Sequence, residues 1–470
     1  MKKEYKKLIN NIGLIAIGSF ASSLLGMLLI PFYTAVLSTA DYGISDLIST
    51  TTSLLYPIAT MVISEAIMRF ALDKDVNKQE VYSIGISVAL TGFLIILLFS
   101  PVIKWSPIGA YYGYFLLYYL STCLYSITSS FVKGLEDVKT YSFAGLMNSV
   151  MVIVCNLFFL LGLKIGIVGY LLSSIIGHIS AILFMFLRAG LHRYIIPFWT
   201  IDWQIMRQML KYSIPMIPNG ISWWIANSSD KYILNHYADV SQVGIYAVSY
   251  KIPTIMITVM GFFITAWQIS AVEDFGSERS QQFFSDIYKK CFALNALIAA
   301  TLIAFSKVFA GFLYSADFFA AWRYVPVLII ANVCNGMSSF LGTIYTASKK
   351  TKMLSVSTMI GAVSNIVMNF VLIPSMGAMG AAIATALSYA IIWFIRIVNT
   401  RRIMRLQLDM KKDGLLVFLL VAEMISVTMD TTLSRIVVFM LYLMIILING
   451  KMLFELFSMI RMMILSKLKR

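Results

Sequence analysis

Long apolar runs recur along the whole chain and are separated by short polar segments. A run of about 17 or more apolar residues is long enough to cross a hydrocarbon layer about 30 Å thick as an α-helix. The pattern predicts fourteen such spans, at 8–36, 42–69, 79–103, 110–133, 141–162, 167–188, 211–237, 242–270, 283–306, 323–347, 353–373, 378–400, 414–429 and 434–449. We therefore expect an all-α polytopic membrane protein.

Composition supports this class, because 59% of the residues are apolar and 13% are charged. Soluble domains average roughly 45–50% apolar and 25% charged residues. The first apolar run follows four lysines, as in a signal peptide, but it exceeds the usual 7–15 residue core and lacks a cleavage site, so we interpret it as a retained span. The four cysteines lie singly inside predicted spans, where they are expected to be small core residues without metal or disulfide roles.

The distribution of Lys and Arg predicts the orientation of the spans. With a cytoplasmic N-terminus, the cytoplasmic segments and adjoining span ends hold 30 of the 37 Lys and Arg residues. Short loops rich in Lys and Arg stay on the cytoplasmic side, so both termini are predicted to lie in the cytoplasm. The net charge of +15 is spread over these segments. No soluble domain concentrates it on one face, which argues against a nucleic-acid partner.

Loop lengths and an internal repeat divide the chain. The longest loops follow the sixth and twelfth spans, and the two groups of six spans resemble each other. Gly43 and Gly244 stand at equivalent turns, and Gly166 and Gly169 recur 211 positions later as Gly377 and Gly380. We predict a six-helix lobe at 1–190, a cytoplasmic amphipathic linker at 191–210, a second lobe at 211–400, and two further helices with a basic amphipathic tail at 401–470. Because each lobe has an even number of spans, both lobes are expected to have the same orientation in the membrane. We expect a cavity between them.

Charged residues inside spans are the first candidates for function, because charges are costly there unless they face water or each other. Asp230 and Lys231 lie in the seventh span beside Asn227, and Lys251 lies in the eighth. Adjacent residues point about 100° apart on a helix, so Asp230 and Lys231 are not expected to face one partner. A structural pair between Asp230 and Lys251 is the alternative to a role in the cavity.

Other polar residues in spans carry weaker signals. Glu65 and Arg69 are four residues apart and therefore share a helix face. They are candidates for the cavity, and a local ion pair is the alternative. Asp46 fits a capping or interfacial role as well as one in the cavity. His178 is a candidate for proton coupling, with a neutral ring bonded to a hydroxyl as the alternative. Arg396 lies near a span end, from which its side chain is expected to snorkel towards water.

Motifs for several reaction types are absent from the sequence. There is no GxxxxGK[ST] phosphate loop, no HExxH and no GxSxG. A pump driven directly by ATP on this chain is not supported, and we expect no cofactor and no metal.

The central stretch also carries a family resemblance, in NSSDKYIL, VGIYAVSYKI and the aromatic-rich FFITAWQ. With the two-lobed plan, it resembles the Wzx-type polysaccharide or O-antigen repeat-unit flippases of the multidrug/oligosaccharidyl-lipid/polysaccharide (MOP) exporter superfamily. The resemblance implies a MATE-like fold and a transporter without catalytic residues. It further implies movement of undecaprenyl-diphosphate-linked oligosaccharide from the inner to the outer leaflet by alternating access.

The same resemblance assigns residues and partners. Asp230, Lys231 and Lys251 match the family's D-[KR] and Y-K motifs, and with Arg69, Glu65 and Asn227 they are the predicted cavity residues. Asp230, Glu65, His178 and Asp46 are the predicted sites of ion or proton coupling. The expected partners are the lipid-linked oligosaccharide, membrane lipids, and the polymerase and glycosyltransferases of the same pathway, in a bacterial plasma membrane.

Three other functions fit the sequence less well. A lipid II flippase shares the span count. A MATE-type cation or drug antiporter would place uncompensated carboxylates in its cavity, whereas the surroundings of Lys231 and Lys251 are predominantly positive. A membrane glycosyltransferase or polymerase usually needs a large external loop, and no predicted outer loop here exceeds about 16 residues.

Overall fold

The fold was analysed in a computed structural model that describes residues 26–73, 75–275, 280–348, 350 and 352–450. The described residues are almost entirely helical and contain no β-strand. Two compact units divide the chain, Met1–Ile245 and Tyr246–Arg470.

In its described residues, the first unit contains nine numbered helices and the beginning of a tenth. They are α1 Ile30–Val36, α2 Thr39–Ala59, α3 Ile63–Ala71, α4 Lys78–Leu98, α5 Tyr112–Gly134, α6 Val138–Asn156, α7 Gly166–Arg188, α8 Trp203–Ser213, α9 Ile217–Tyr237 and α10 Val240–Ser249. Short turns of helix lie between them at Ser100–Lys104, Gly109–Tyr111, Leu191–Tyr194, Phe198–Thr200 and Ile214–Met216, and a π-helical turn at Leu157–Gly162 extends α6.

The described part of the second unit contains the end of α10 and eight further numbered helices. They are α11 Lys251–Asp274, α12 Ser280–Ala304, α13 Ser306–Leu313, α14 Val325–Ala347, α15 Lys352–Met376, α16 Ala378–Thr400, α17 Met410–Met429 and α18 Thr432–Ile448, with a 3-10 helix at Ala316–Arg323. Its core is centred on α14, which is buried along most of its length and packs against α11, α12 and α16.

Many of these helices are long and apolar enough to cross a membrane. Eight described helices meet that requirement, or up to ten if each of two bent pairs counts as one span. The predicted total of fourteen spans remains a prediction. Most of the first predicted span, and the tail from residue 451 onward, lie outside the described residues.

The second predicted span, 42–69, is not one straight helix. It is broken between α2 and α3, whose axes are bent by 60°. Pro57 lies inside α2 and cannot donate a backbone hydrogen bond, and Met61 and Val62 take positive φ angles of 51° and 53°. The prediction of a continuous helix here was wrong, because the break is made by non-glycine residues that do not usually adopt such angles.

The predicted linker, 191–210, contains two 3-10 turns and most of α8. This helix continues three residues into the predicted seventh span, and the chain then breaks at Ile214–Met216 before α9 begins. Pro215 lies in that break and Pro218 in the first turn of α9, positions that suit proline because the amide hydrogens of a first turn need no intrahelical partner. The sequence predicts that α9 belongs to the second lobe. In the structure, α9 belongs to the first compact unit. The lobe boundaries remain a prediction.

Two glycines of the proposed repeat pack directly against each other. A methyl group on Gly43 would overlap the carbonyl oxygen of Val240, and one on Gly244 would overlap the carbonyl oxygen of Thr39. The start of α2 therefore crosses the start of α10 with backbone against backbone. Only glycine permits this approach, since any Cβ at either position would force the two helices apart.

We expect Gly43→Ala and Gly244→Ala each to lower the stability of the first unit by about 1–3 kcal/mol, the usual cost of overpacking a tight contact. Thermal unfolding of the purified protein in detergent measures the effect. Gly145→Ala in α6 is the matched control, because a methyl group there meets nothing within 4 Å. Equal midpoints for the three variants would contradict the proposed contact.

Candidate functional site

The seventh predicted span, α9, packs antiparallel to α2 through polar contacts. The indole Nε1 of Trp224 donates to the backbone carbonyl of Thr50 at 2.8 Å. The second contact joins Lys231, two turns later on α9, to Asp46, one turn earlier on α2. The Nζ of Lys231 lies 2.7 Å from the Oδ2 of Asp46. The two helices are therefore joined by an ion pair and a hydrogen bond as well as by apolar packing.

The carboxylate oxygen of Asp46 that contacts Lys231 is buried, although both side chains are partly exposed. The side chains of Lys231 and Asp46 are 14% and 21% exposed, respectively. The start of α2 is capped by Ser38, whose hydroxyl accepts from the backbone N–H of Asp41. Asp46 lies about two turns further on and does not cap the helix, so the capping alternative was wrong, while an interfacial role remains a prediction. Its carboxylate instead neutralises the cation that the sequence identified as the main cavity residue.

Asp230 and Lys231 diverge, as the geometry of adjacent helical residues predicts. Asp230 is 2% exposed, and its Oδ1 accepts from the backbone N–H of Lys231 at 3.0 Å. Asn227 donates to the carbonyl of Trp223 one turn earlier, at 2.8 Å. A role for Asp230 or Asn227 in binding and the alternative pairing of Asp230 with Lys251 remain predictions.

Tyrosines surround the carboxylate of Asp46. Tyr118, Tyr170 and Tyr232 all lie within electrostatic range of it, and the hydroxyl of Tyr232 is hydrogen bonded to that of Thr51 on α2. Phenol hydroxyls can donate to a carboxylate or a phosphate and can also accept. These residues were not predicted from the sequence, although the tyrosine-rich run in α5 was a signal for them.

His178 lies in a small aromatic cluster in the same unit. Its Nδ1 is 3.2 Å from the hydroxyl oxygen of Ser121, and its ring stacks on Tyr125 with the centroids 5.3 Å apart. This is the hydroxyl contact expected for the structural alternative. A role in proton coupling remains a prediction.

Glu65 and Arg69 share the short helix α3, which follows the break, and both are exposed. Within the part of the chain that the structure describes, no hydrogen bond or ion pair joins them to each other or to Lys231 and Asp46. Their predicted place in the cavity remains a prediction.

Lys251 belongs to the second unit and is the first residue of α11. A bend of 40° separates α10 from α11, so Lys251 lies at a helix start. The role of Lys251 in binding the substrate remains a prediction.

Arg396 in α16 does not snorkel to a span end, so that prediction was wrong. It is 6% exposed and donates to the hydroxyls of Ser357 and Thr358 and to the backbone carbonyls of Ser338 and Leu354. These neutral acceptors replace the water that the guanidinium group would otherwise seek. Arg396 is therefore a structural cation of the second unit.

A family model described as polysaccharide biosynthesis protein matches residues 8–268, more than half of the chain. Among curated proteins, a probable low-salt glycan biosynthesis flippase, Agl15 of Haloferax volcanii, is 22% identical over 189 residues. That match covers 39% of this chain and 40% of the relative, so the chain matches about two fifths of that relative's length.

Solved structures match more of the chain. The lipid II flippase MurJ in an inward closed conformation gives a TM-score of 0.72 at 16% identity, covering 94% of this chain and 99% of that one. An inward-facing MATE family transporter of the MOP superfamily gives 0.62 at 12% identity, covering 82% and 97%. The predicted all-α, MATE-like fold class is confirmed.

We expect a double-mutant cycle to show that Lys231 and Asp46 depend on each other for stability. Lys231→Met or Asp46→Asn alone leaves one partner without its counterion, whereas the double variant removes both charges. Thermal unfolding of the four proteins in detergent should give a coupling energy of about 1–3 kcal/mol. Strictly additive losses would mean that the ion pair does not form.

Proposed function

Because the chain belongs to the polysaccharide biosynthesis protein family, we propose that it is a flippase for undecaprenyl-diphosphate-linked oligosaccharide repeat units. It moves them from the inner to the outer leaflet by alternating access, for the synthesis of a surface polysaccharide. The observation that carries the proposal is a lysine, Lys231, held on α9 in an ion pair whose side chains are partly exposed.

A diphosphate with attached sugars cannot cross hydrocarbon unaided, because the cost of removing its charges from water is too high. A lysine ammonium compensates such a group as a mobile point charge and does not impose the fixed fork geometry of arginine. Transport requires release as well as binding, and a single flexible cation suits both. Lys231 meets this description because its side chain is partly exposed and its counterion is a side chain.

In this mechanism, the substrate diphosphate exchanges with the carboxylate of Asp46. Both anions compete for the ammonium group of Lys231, and the diphosphate carries more negative charge, so it displaces the carboxylate on entry. When the cargo leaves, Asp46 binds Lys231 again and prevents the lysine from retaining it. Asp46 is thereby a release residue as well as a candidate for proton coupling.

The other predicted residues take supporting roles in this proposal. Lys251 adds a second cation at the start of α11. Arg69, Asp230 and Asn227 line the path, and Glu65 and His178 join Asp46 and Asp230 as candidates for ion or proton coupling. The polyprenyl tail stays in the lipid while the headgroup crosses.

We place both termini in the cytoplasm on the basis of the Lys and Arg distribution, and the protein in a bacterial plasma membrane on the basis of the family resemblance. Its substrate is then made on the cytoplasmic side and used outside. Glycosyltransferases that build the repeat unit and a polymerase that consumes it are the partners this topology requires.

A lipid II flippase is the second candidate, since the MurJ structure matches almost the whole chain. Lipid II is also a polyprenyl diphosphate, and the exchange between Asp46 and substrate would serve it equally. A drug or cation antiporter is disfavoured, because the carboxylate of Asp46 is already neutralised by Lys231.

We expect Lys231→Ala and Lys251→Ala each to slow flipping by about tenfold or more, since each removes a charge-assisted contact with the diphosphate. The measurement uses purified protein in vesicles, with undecaprenyl diphosphate carrying a labelled N-acetylhexosamine disaccharide. Accessibility of the label on each leaflet is followed over time. Lipid II and a cationic dye serve as alternative cargoes that separate the three candidate functions.

Lys104→Ala is the control for this assay, because Lys104 is exposed and lies outside the predicted spans. It should flip at the wild-type rate. If both cavity variants also flipped at that rate, while remaining folded and inserted, neither lysine would take part in transport.

We expect Asp46→Asn to separate binding from turnover. Without the competing carboxylate, Lys231 should bind undecaprenyl diphosphate several-fold more tightly, yet the vesicle assay should show slower flipping because release is impaired. Intrinsic tryptophan fluorescence in detergent reports the binding. Weaker binding in this variant would rule out the exchange mechanism.

A further inference from the structure

A second polar feature lies in the second unit, between α11 and α14. It is a cavity of about 270 Å³ whose apolar walls include Met256 and Met260. On the α14 side, its polar lining comes from Asn332, Asn335 and Ser339. None of the cavity-lining residues is charged.

The three polar side chains form one stripe, because residues three and four positions apart lie on the same helix face. Within the described chain, none of them forms a side-chain hydrogen bond with another residue. Asn332 is 8% exposed, and Asn335 and Ser339 are partly exposed, so these side chains reach the cavity and no protein group among the described residues satisfies them. Polar groups without a protein partner are normally satisfied by water or by a ligand.

A cavity with this lining does not suit an acyl chain, which would leave both amides and the hydroxyl without partners. It suits water or a ligand rich in hydroxyl groups, because each amide offers two donors and a carbonyl acceptor. The absence of charged groups among the lining residues favours a neutral ligand. The cavity volume is just below the roughly 300–1,000 Å³ of sites for drug-sized ligands. The cavity therefore suits a smaller ligand, of about the size of one sugar ring.

The cavity is shaped by rigid neighbours. Trp267 on α11 donates to the hydroxyl of Thr343 on α14 at 2.9 Å, and its indole stacks on Phe340 with the centroids 5.1 Å apart. This contact locks the two helices together next to the polar stripe. On the wall itself, Gly261 has no atom within 4 Å of the place where a Cβ would lie, so part of the space exists because the residue has no side chain.

We propose that this cavity is a sugar subsite, which binds one neutral sugar ring of the transported glycan through Asn332, Asn335 and Ser339. The assignment rests on the proposed function and deepens it. The lysines recognise the diphosphate common to all such lipids, whereas the amide stripe recognises the saccharide. Methyl and methylene groups of Met256 and Met260 contact the apolar face of the ring.

Two variants test the subsite in the vesicle assay. Asn335→Leu keeps the branched shape of the side chain but removes its hydrogen-bonding groups, and Gly261→Leu places a side chain on the cavity wall. We expect each to slow flipping of the disaccharide-carrying lipid by about tenfold, the effect of losing one or two hydrogen bonds to the cargo. Flipping of undecaprenyl diphosphate without sugar should stay within about twofold of wild type.

Gly311→Leu in α13 is the matched control, since a Cβ there also meets nothing within 4 Å and the residue is not part of the cavity. It should transport both lipids at the wild-type rate. Asn335→Leu should unfold at the wild-type temperature or above, because it removes an unpaired amide.

The outcomes separate the two proposals. If wild-type protein moves the disaccharide lipid and both cavity variants match it, or if both variants slow the two lipids equally, the sugar subsite is wrong and the flippase function stands. If wild-type protein moves neither lipid, the proposed function fails and the subsite fails with it. Slower movement of the sugar-bearing lipid alone supports the subsite.

Discussion

The first unit depends on one electrostatic contact, the ion pair between Lys231 and Asp46. It joins α9 to α2 and sets the direction in which the lysine points. Because Asp230 precedes Lys231 on the same helix, that direction also turns Asp230 into the packed interior. Three tyrosines lie within electrostatic range of the Asp46 carboxylate, namely Tyr118, Tyr170 and Tyr232. A charge pair in this setting has few substitutes, since an unpaired member would face a medium that solvates it poorly.

Much of this organisation could be predicted from the sequence alone. Apolar runs reveal helices, because each must shield its backbone from lipid. The same constraint makes charged positions inside the runs conspicuous, which is why Lys231, Asp230 and Lys251 stand out in the amino-acid sequence. The divergence of Asp230 and Lys231 followed from helix geometry. These inferences succeed because they depend on residues that are close in sequence.

The features that were missed depend on residues that are distant in sequence. Nothing near Lys231 indicates that Asp46 is its counterion, and nothing near Arg396 indicates that hydroxyls and carbonyls of two other helices surround it. The break between α2 and α3 was missed for another reason. Met61 and Val62 take angles that tertiary packing imposes against their own preference, so no glycine marks the site.

The two cations Lys231 and Arg396 show why charge inside a membrane protein does not by itself indicate a binding site. Arg396 donates to four neutral acceptors, which leaves little capacity for an anionic ligand. Lys231 has a single anionic side chain as its partner, and its own side chain is 14% exposed. A cation surrounded by fixed hydroxyls and backbone carbonyls stabilises the fold. A cation with one carboxylate partner is the arrangement on which the proposed exchange with substrate rests.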